Sequence, residues 1–187
     1  MGRPKLLLPW HGTSILGHLL AQWRELGVEQ LAIVRAADDP LLLAESDRLG
    51  FPREQVIDNH APELGMFHSI RTAARWTGWM PSLNHWALVL GDQPHLQPAT
   101  LRRLLKHSAA HPAQVCQPSR GGHARHPVVL PAEVFQRIPE SPANDLKEFL
   151  ATYPQAVACC ESDDPGLDLD LDRPEDYLKA LEIASVA

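Results

Sequence analysis

The sequence predicts a three-layer α/β fold built on a mostly parallel sheet, and three observations predict it. Short apolar runs of strand length alternate with stretches of 3.6-residue apolar period along much of the chain, the pattern of strand–helix units joined by right-handed crossovers. Residue types that start and stop helices stand at the joints between them. The 187 residues are 44% hydrophobic, enough for one substantial core, so residues 1–187 read as a single domain.

Each element has its own signal. Thr13 or Ser14 caps a helix with Leu16, Leu19, Leu20, Trp23 and Leu26 on one face, and Gly27 stops it. Residues 30–34 read as a short buried strand. Asp39 caps the next helix with Pro40 at its first position, and Gly50 ends it. Val56 and Ile57 form a brief strand, residues 66–76 a helix and residues 86–90 an apolar strand. Pro98 opens a helix with Leu101, Leu104 and Leu105 inward. Short strands at 115–117 and 127–130 flank a Gly-rich loop. Asn144 caps a helix that turns Leu146, Phe149 and Leu150 to one side. Strands follow at 156–159 and 169–171, and Asp172 caps the last helix with Glu175 completing a capping box.

Composition excludes several functions. The formal net charge of -6 and the absence of a Lys/Arg stripe argue against a nucleic-acid surface. An anionic small molecule stays compatible, because a local pocket can be basic in an acidic protein. No apolar run approaches the ~20 residues that span a bilayer. The run LLLP is too short for a signal-peptide core, so the expectation is a cytoplasmic protein without membrane or nucleic-acid partners. Cys116, Cys159 and Cys160 match neither a zinc knuckle nor a redox CxxC, and read as reduced thiols.

The run HWALVLGDQPHL is the most informative stretch. Its apolar strand ends in Gly91 and Asp92, which places a carboxylate at the carboxyl edge of a strand. Ligands of open α/β sheets bind there. A carboxylate at that edge suits Mg2+ and, through it, a phosphate. The acidic run DLDLDRPEDY, residues 168–177, supplies a second half if folding brings the two together. Either run alone is also an ordinary turn or a solvated strand end.

Five segments stand in a telling order: MGRPKLLLP at the start, ELGMFHSIRTA at 63–73, LVLGDQP at 88–94, GGHARHPVVL at 121–130 and DLDRPEDY at 170–177. In order and spacing they resemble the MobA-like nucleotidyltransferase domain family, and most its molybdenum-cofactor cytidylyltransferase branch. The resemblance covers nearly the whole chain and implies a three-layer Rossmann-like nucleotidyltransferase fold. That family begins with a hydrophobic central strand and a Gly-rich loop that wraps the triphosphate. This sequence starts at what resembles the loop's last two residues, Met1 and Gly2. It therefore reads as N-terminally truncated relative to the family, with a start set too late as the favoured explanation. Without that strand, residues 5–9 are expected to be irregular. Arg125 is a second departure, standing where the family's loop usually has Gly before His-Pro.

The resemblance implies transfer of a nucleoside monophosphate from CTP or GTP to a phosphorylated acceptor, molybdopterin cofactor first, with release of pyrophosphate. It makes Asp92 the leading Mg2+ ligand, Asp172 the second and Asp170 the fallback. Lys5 resembles the phosphate-contacting lysine and joins Asp92 as a catalytic candidate, and Arg3 adds charge beside it. Gly65, Ser69 and Arg71 are placed to meet nucleotide or substrate phosphates. His126, with Pro127, is placed in the pterin-side pocket. The expected assembly is a monomer or weak homodimer. Two alternatives stand beside this reading: a non-catalytic nucleotide- or protein-binding relative, and a sugar-phosphate nucleotidyltransferase.

Overall fold

Alternation of strand and helix holds through the first two thirds of the chain in the computed structural model, which describes residues 4–153 and 157–186. A 3-10 turn, Lys5–Leu7, leads into strands β1 (Pro9–Trp10) and β2 (Thr13–Ser14) and helix α1 (Ile15–Glu25). Then come β3 (Ile33–Ala36), α2 (Pro40–Arg48), β4 (Val56–Asn59), α3 (Met66–Arg75), β5 (His85–Leu88) and α4 (Pro98–Ala110). The remainder holds β6 (Cys116–Arg120), β7 (His123–Ala124), β8 (Val128–Pro131), the short α5 (Ala132–Phe135), α6 (Leu146–Ala151), β9 (Ala158–Glu161) and α7 (Pro174–Val186). Among the described residues no helix is long and apolar enough to cross a membrane.

The helix boundaries follow local chemistry. Ser14 Oγ accepts from Gly17 N at 3.0 Å and fixes the start of α1. Asp39 Oδ1 accepts from Leu42 N at 3.0 Å, with Pro40 behind it, to start α2. Gly27 and Gly50 take positive φ just beyond α1 and α2. At α6 the cap is Asp145, whose carboxylate accepts from Glu148 N at 2.7 Å. The expected cap, Asn144, instead donates from its backbone and side chain to Glu148 Oε2.

The sheets are mixed, which corrects the expectation of a mostly parallel sheet. β3 pairs with β4 in parallel, and β6 with β9. β1–β2, β6–β7 and β6–β8 are antiparallel. The reason lies in the connections. His11–Gly12 and Gly121–Gly122 all have positive φ, as two-residue hairpin turns require, and such turns join only antiparallel neighbours. The return from β6 to β8 is also too short for a parallel crossover, which takes a dozen or more residues. β7 belongs to this hairpin and has too few residues to leave a period in the sequence. The larger sheet has the order β5-β8-β6-β7 with β9 also on β6.

Other expectations shift. β3 starts at Ile33, later than expected, and β5 ends at Leu88, earlier than expected. Residue 156, the expected first residue of the strand at 156–159, lies outside the described residues. No strand forms at 169–171. A 3-10 turn, Pro165–Asp168, runs into an extended segment whose Asp170 and Asp172 side chains make long-range contacts. Residues 5–9 are not irregular, because the 3-10 turn passes directly into β1.

The chain divides into two compact units. One comprises Met1–Val28, Ala87–Val129 and Val157–Ala187. Its first core cluster joins Trp10, Ile15 and Leu19 to Leu171 and Ala180, with Leu6, Leu8 and Tyr177 packed against it. Full burial of such side chains stabilises by about 1.5–3 kcal/mol each. A second cluster gathers Leu104, Cys116, Val129 and Cys160. The other unit comprises Glu29–Trp86 and Leu130–Ala156. It holds the β3–β4 sheet, α2 and α3, with Phe67 against Phe149 and an aromatic chain from Trp76 through Trp79 and Trp86 to Phe135.

Candidate functional site

In the first unit the loop after β5 carries Asp92 under the N-terminal 3-10 turn. Gly91 permits the approach: a Cβ there would lie 2.7 Å from Leu6 Cδ2. Leu6 and Leu8 are held by the Trp10 core, and the Tyr177 hydroxyl donates to the Pro9 carbonyl. Lys5 is therefore an anchored side chain and not a frayed one. Its Nζ donates to Asp172 Oδ1 at 2.8 Å and lies 3.6 Å from Asp92 Oδ2. The two acidic runs do meet, with an ammonium between them.

Asp172 is free to do this because it does not cap α7. That helix begins at Pro174, and Asp176 Oδ2 reaches back to Arg173 N at 2.9 Å. Asp176 thus takes the position assigned to Glu175. The Asp172 carboxyl is held below its ordinary range, first by the hydrogen bond from Lys5 and then by the lysine's charge. Lys5 is raised in turn, chiefly by Asp172, against the opposing effect of burial.

Asp170 faces a different partner. Its Oδ1 accepts from Gln93 Nε2 at 2.9 Å, and Gln93 is buried. His95 is also buried and lies 3.0 Å from the Gly166 carbonyl through Nε2. Asp164 accepts from Gln97 N and Gly166 N. These contacts tie the Asp92 loop to the segment carrying Asp170 and Asp172. Sequence reasoning missed Gln93, His95 and Asp164; the available signal was polar residues directly after an apolar strand. His126 is lowered by burial, opposed in part by a hydrogen bond with the Leu88 backbone and then by the Asp170 and Asp92 charges.

The remaining candidates belong to the second unit. Gly65 has φ 83° and ψ -175°, a region essentially confined to glycine, and starts α3. Ser69 Oγ accepts from Asn59 Nδ2 at 3.0 Å. Asn59 is buried, and its Oδ1 meets Ala61 N and His68 Nδ1. Arg71 Nη2 donates to the Ser141 carbonyl at 2.7 Å and to that of Ala143 at 2.5 Å, with the guanidinium over the Phe67 ring. Its fork fastens a loop. Arg3 lies outside the described residues.

Asp92 and Asp172 offer hard oxygen donors around one cation position, which suits a divalent ion of the Mg2+ type. The Lys5 ammonium lies between the two carboxylates. Among the described residues no group of three or more His, Cys, Asp or Glu converges on a metal position, so other ligands would come from water or substrate.

Residues 1–157 match the model of the MobA-like NTP transferase domain. Among solved structures, Rv0371c from Mycobacterium tuberculosis H37Rv superposes with a TM-score of 0.74 at 26% identity, over 97% of this chain and 90% of that one. The same protein in complex with manganese gives 0.71 at 26% identity, over 97% and 93%. Molybdopterin-guanine dinucleotide biosynthesis protein A from Archaeoglobus fulgidus gives 0.68 at 16% identity, over 100% and 93%. A 4-diphosphocytidyl-2C-methyl-D-erythritol synthase gives 0.75 at 15% identity, over 97% and 93%. The last two likenesses are of fold alone. No curated protein sequence matches significantly.

Proposed function

The chain belongs to the MobA-like NTP transferase domain family, whose members move a nucleoside monophosphate from a nucleoside triphosphate to a phosphorylated acceptor, and on that premise we propose that its donor is CTP or GTP and its acceptor molybdopterin cofactor. The observation that carries the reading is Lys5 held between Asp92 and Asp172.

In this reaction an oxygen of the acceptor phosphate attacks the α-phosphorus, the bond to the β-phosphate breaks, and pyrophosphate leaves. No covalent enzyme intermediate is needed, so the work is alignment and charge neutralisation. Asp92 and Asp172 would hold the divalent cation, Mg2+ or the Mn2+ of the Rv0371c complex, which supplies positive charge to the phosphates when bound. Lys5 offers a second positive charge at the same place, on a side chain long enough to meet a phosphate oxygen. Gln93 fixes Asp170 beside the pair. Burial disfavours the charged form of His126. The molybdenum-cofactor branch is favoured over a sugar-phosphate enzyme by the GGHARHP loop, and a cytoplasmic site by the reduced-thiol reading of the cysteines.

The test is pyrophosphate release with CTP and with GTP, using molybdenum cofactor or a sugar phosphate as acceptor. Release with molybdenum cofactor and a divalent cation is the expected result. Preference for the sugar phosphate moves the assignment to that class. Nucleotide binding without release from any acceptor makes the protein a binder.

A further inference from the structure

The hairpin β6–β7 carries two arginines that share one carboxylate. Arg125 Nε and Nη2 lie 2.9 and 2.8 Å from Asp168 Oδ1, and Arg120 Nη1 reaches Asp168 Oδ2. All three side chains are about one third exposed: 37% for Arg120 and Asp168, 32% for Arg125. Two positive charges against one negative leave an excess, held at a fixed place and open to solvent.

The hairpin does not need these ion pairs to keep its shape. Glu161 already fixes the turn, accepting from Gly121 N at 2.9 Å and from Ser119 Oγ at 2.6 Å. At the other end Arg125 N donates to the Pro118 carbonyl at 2.8 Å, and Gln117 Nε2 to the Arg125 carbonyl at 3.1 Å. Backbone and buried side chains therefore set the hairpin, and an exposed ion pair adds little to stability. The location also counts. Asp168 stands two residues before Asp170, which Gln93 ties to the Asp92 loop.

We propose that Arg120 and Arg125 form the anion-recognition point for the acceptor, binding its phosphate, and that Asp168 is the positioning residue that holds the two guanidiniums together. Guanidinium groups offer several N–H donors in one plane, which an ammonium does not. Asp168 takes Nε and Nη2 of Arg125 and Nη1 of Arg120, and Arg125 Nη1 meets the Ala124 carbonyl at 3.2 Å, so the phosphate would meet the remaining N–H groups. Asp168 offsets part of the mutual repulsion of the pair, so both guanidiniums stay in place before the acceptor arrives. Selection then falls on acceptors whose reacting phosphate can be held by this pair.

This assignment rests on the transfer reading, and the experiment separates the two. Steady-state kinetics on the full chain would compare the parent with Arg125→Ala, Arg125→Lys and Asp168→Asn, varying nucleotide and molybdenum cofactor in turn. Loss of charge-assisted hydrogen bonds predicts an acceptor KM raised about tenfold or more in Arg125→Ala, with nucleotide KM unchanged. Arg125→Lys recovers only part of the loss, and Asp168→Asn raises acceptor KM by less than Arg125→Ala. Equal changes in both KM values, or in neither, overturn the assignment while leaving transfer intact. If the parent transfers to no acceptor, the transfer reading has failed. Inorganic phosphate then probes the arginines directly by 31P NMR titration. Binding lost in the Arg120→Ala, Arg125→Ala double variant supports the anion site, and binding equal to the parent's overturns it.

Discussion

Lys5 and Asp172 are 167 residues apart in sequence, yet Lys5 Nζ lies 2.8 Å from Asp172 Oδ1. The contact closes the first unit on itself. Leu6 and Leu8 pack with Leu171 in one core cluster, so the two segments are joined by apolar burial before any charge pairs. The ion pair then reads out a geometry that packing has fixed. Asp92 completes the cluster from the loop after β5.

Asp92→Asn removes one of two carboxylates at the cation position and little packing. Transfer should fall by about 10² or more if the charge supports an electrostatic effect of ordinary size. Thermal stability should stay near the parent's, as for most surface substitutions. Turnover equal to the parent's at saturating Mg2+ would take Asp92 out of the site.

Lys5→Met should act in two directions. Transfer falls, because a phosphate contact is lost. Divalent-cation affinity without nucleotide rises, because the ammonium no longer competes for Asp92 and Asp172. Because the ion pair released is an exposed one, Mn2+ should bind only up to about fivefold tighter. Electron paramagnetic resonance of free Mn2+ measures this directly, and weaker binding in the variant would contradict the competition.

Arg71→Met should affect folding more than nucleotide. Its guanidinium serves the carbonyls of Ser141 and Ala143, and those acceptors would lose a charged donor. A loss of about 1–3 kcal/mol is expected, read as a lower urea midpoint. A raised nucleotide KM at unchanged stability would restore Arg71 to the phosphate contacts.

Burial lowers the histidines His18, His95 and His126 below their ordinary 6.5. Above 6.5 both folded and unfolded chains hold them neutral. As pH falls through that value the unfolded chain takes up protons that the folded chain refuses, so stability falls. The loss continues until the folded values are reached. Urea midpoints at pH 7.5 and 5.5 should show the drop, and His126→Gln should lessen it. A midpoint that rises on acidification would refute the account.

Gly166→Ala should destabilise. A Cβ there would lie 2.9 Å from His95 Cδ2 and 3.0 Å from Asp164 Oδ1, both buried groups that hold the Asp92 loop. Overpacking of this kind costs about 1–3 kcal/mol. Unchanged melting would show that the loop yields without cost.

Local signals were the legible part of this protein. Ser14, Asp39, Gly27 and Gly50 bound α1 and α2 as their residue types demand. The pairing of Asp92 with the acidic run was legible as a possibility, because ligands of open α/β sheets bind at the carboxyl edge of the strands. What escaped was set by distant partners. Asp172 gave up the cap of α7 because Asp176 serves Arg173 N, leaving its carboxylate to a lysine at the other end of the chain. The segment at 169–171 alternates like a strand, yet Leu169 and Leu171 turn into the core while Asp170 meets Gln93. Sheet direction was lost for a similar reason: β7 is two residues long, and a glycine pair outweighs any periodicity around it.

The span between Lys5 and Asp172 also sets an order in time. A ribosome adding about 5–20 residues per second takes on the order of 10–30 s to pass from the first to the second. Through that interval Asp92 can already be made while Asp172 does not yet exist. The candidate cation position therefore cannot close during synthesis until residue 172 has emerged, and a nascent chain stalled before it carries the lysine without its nearer carboxylate.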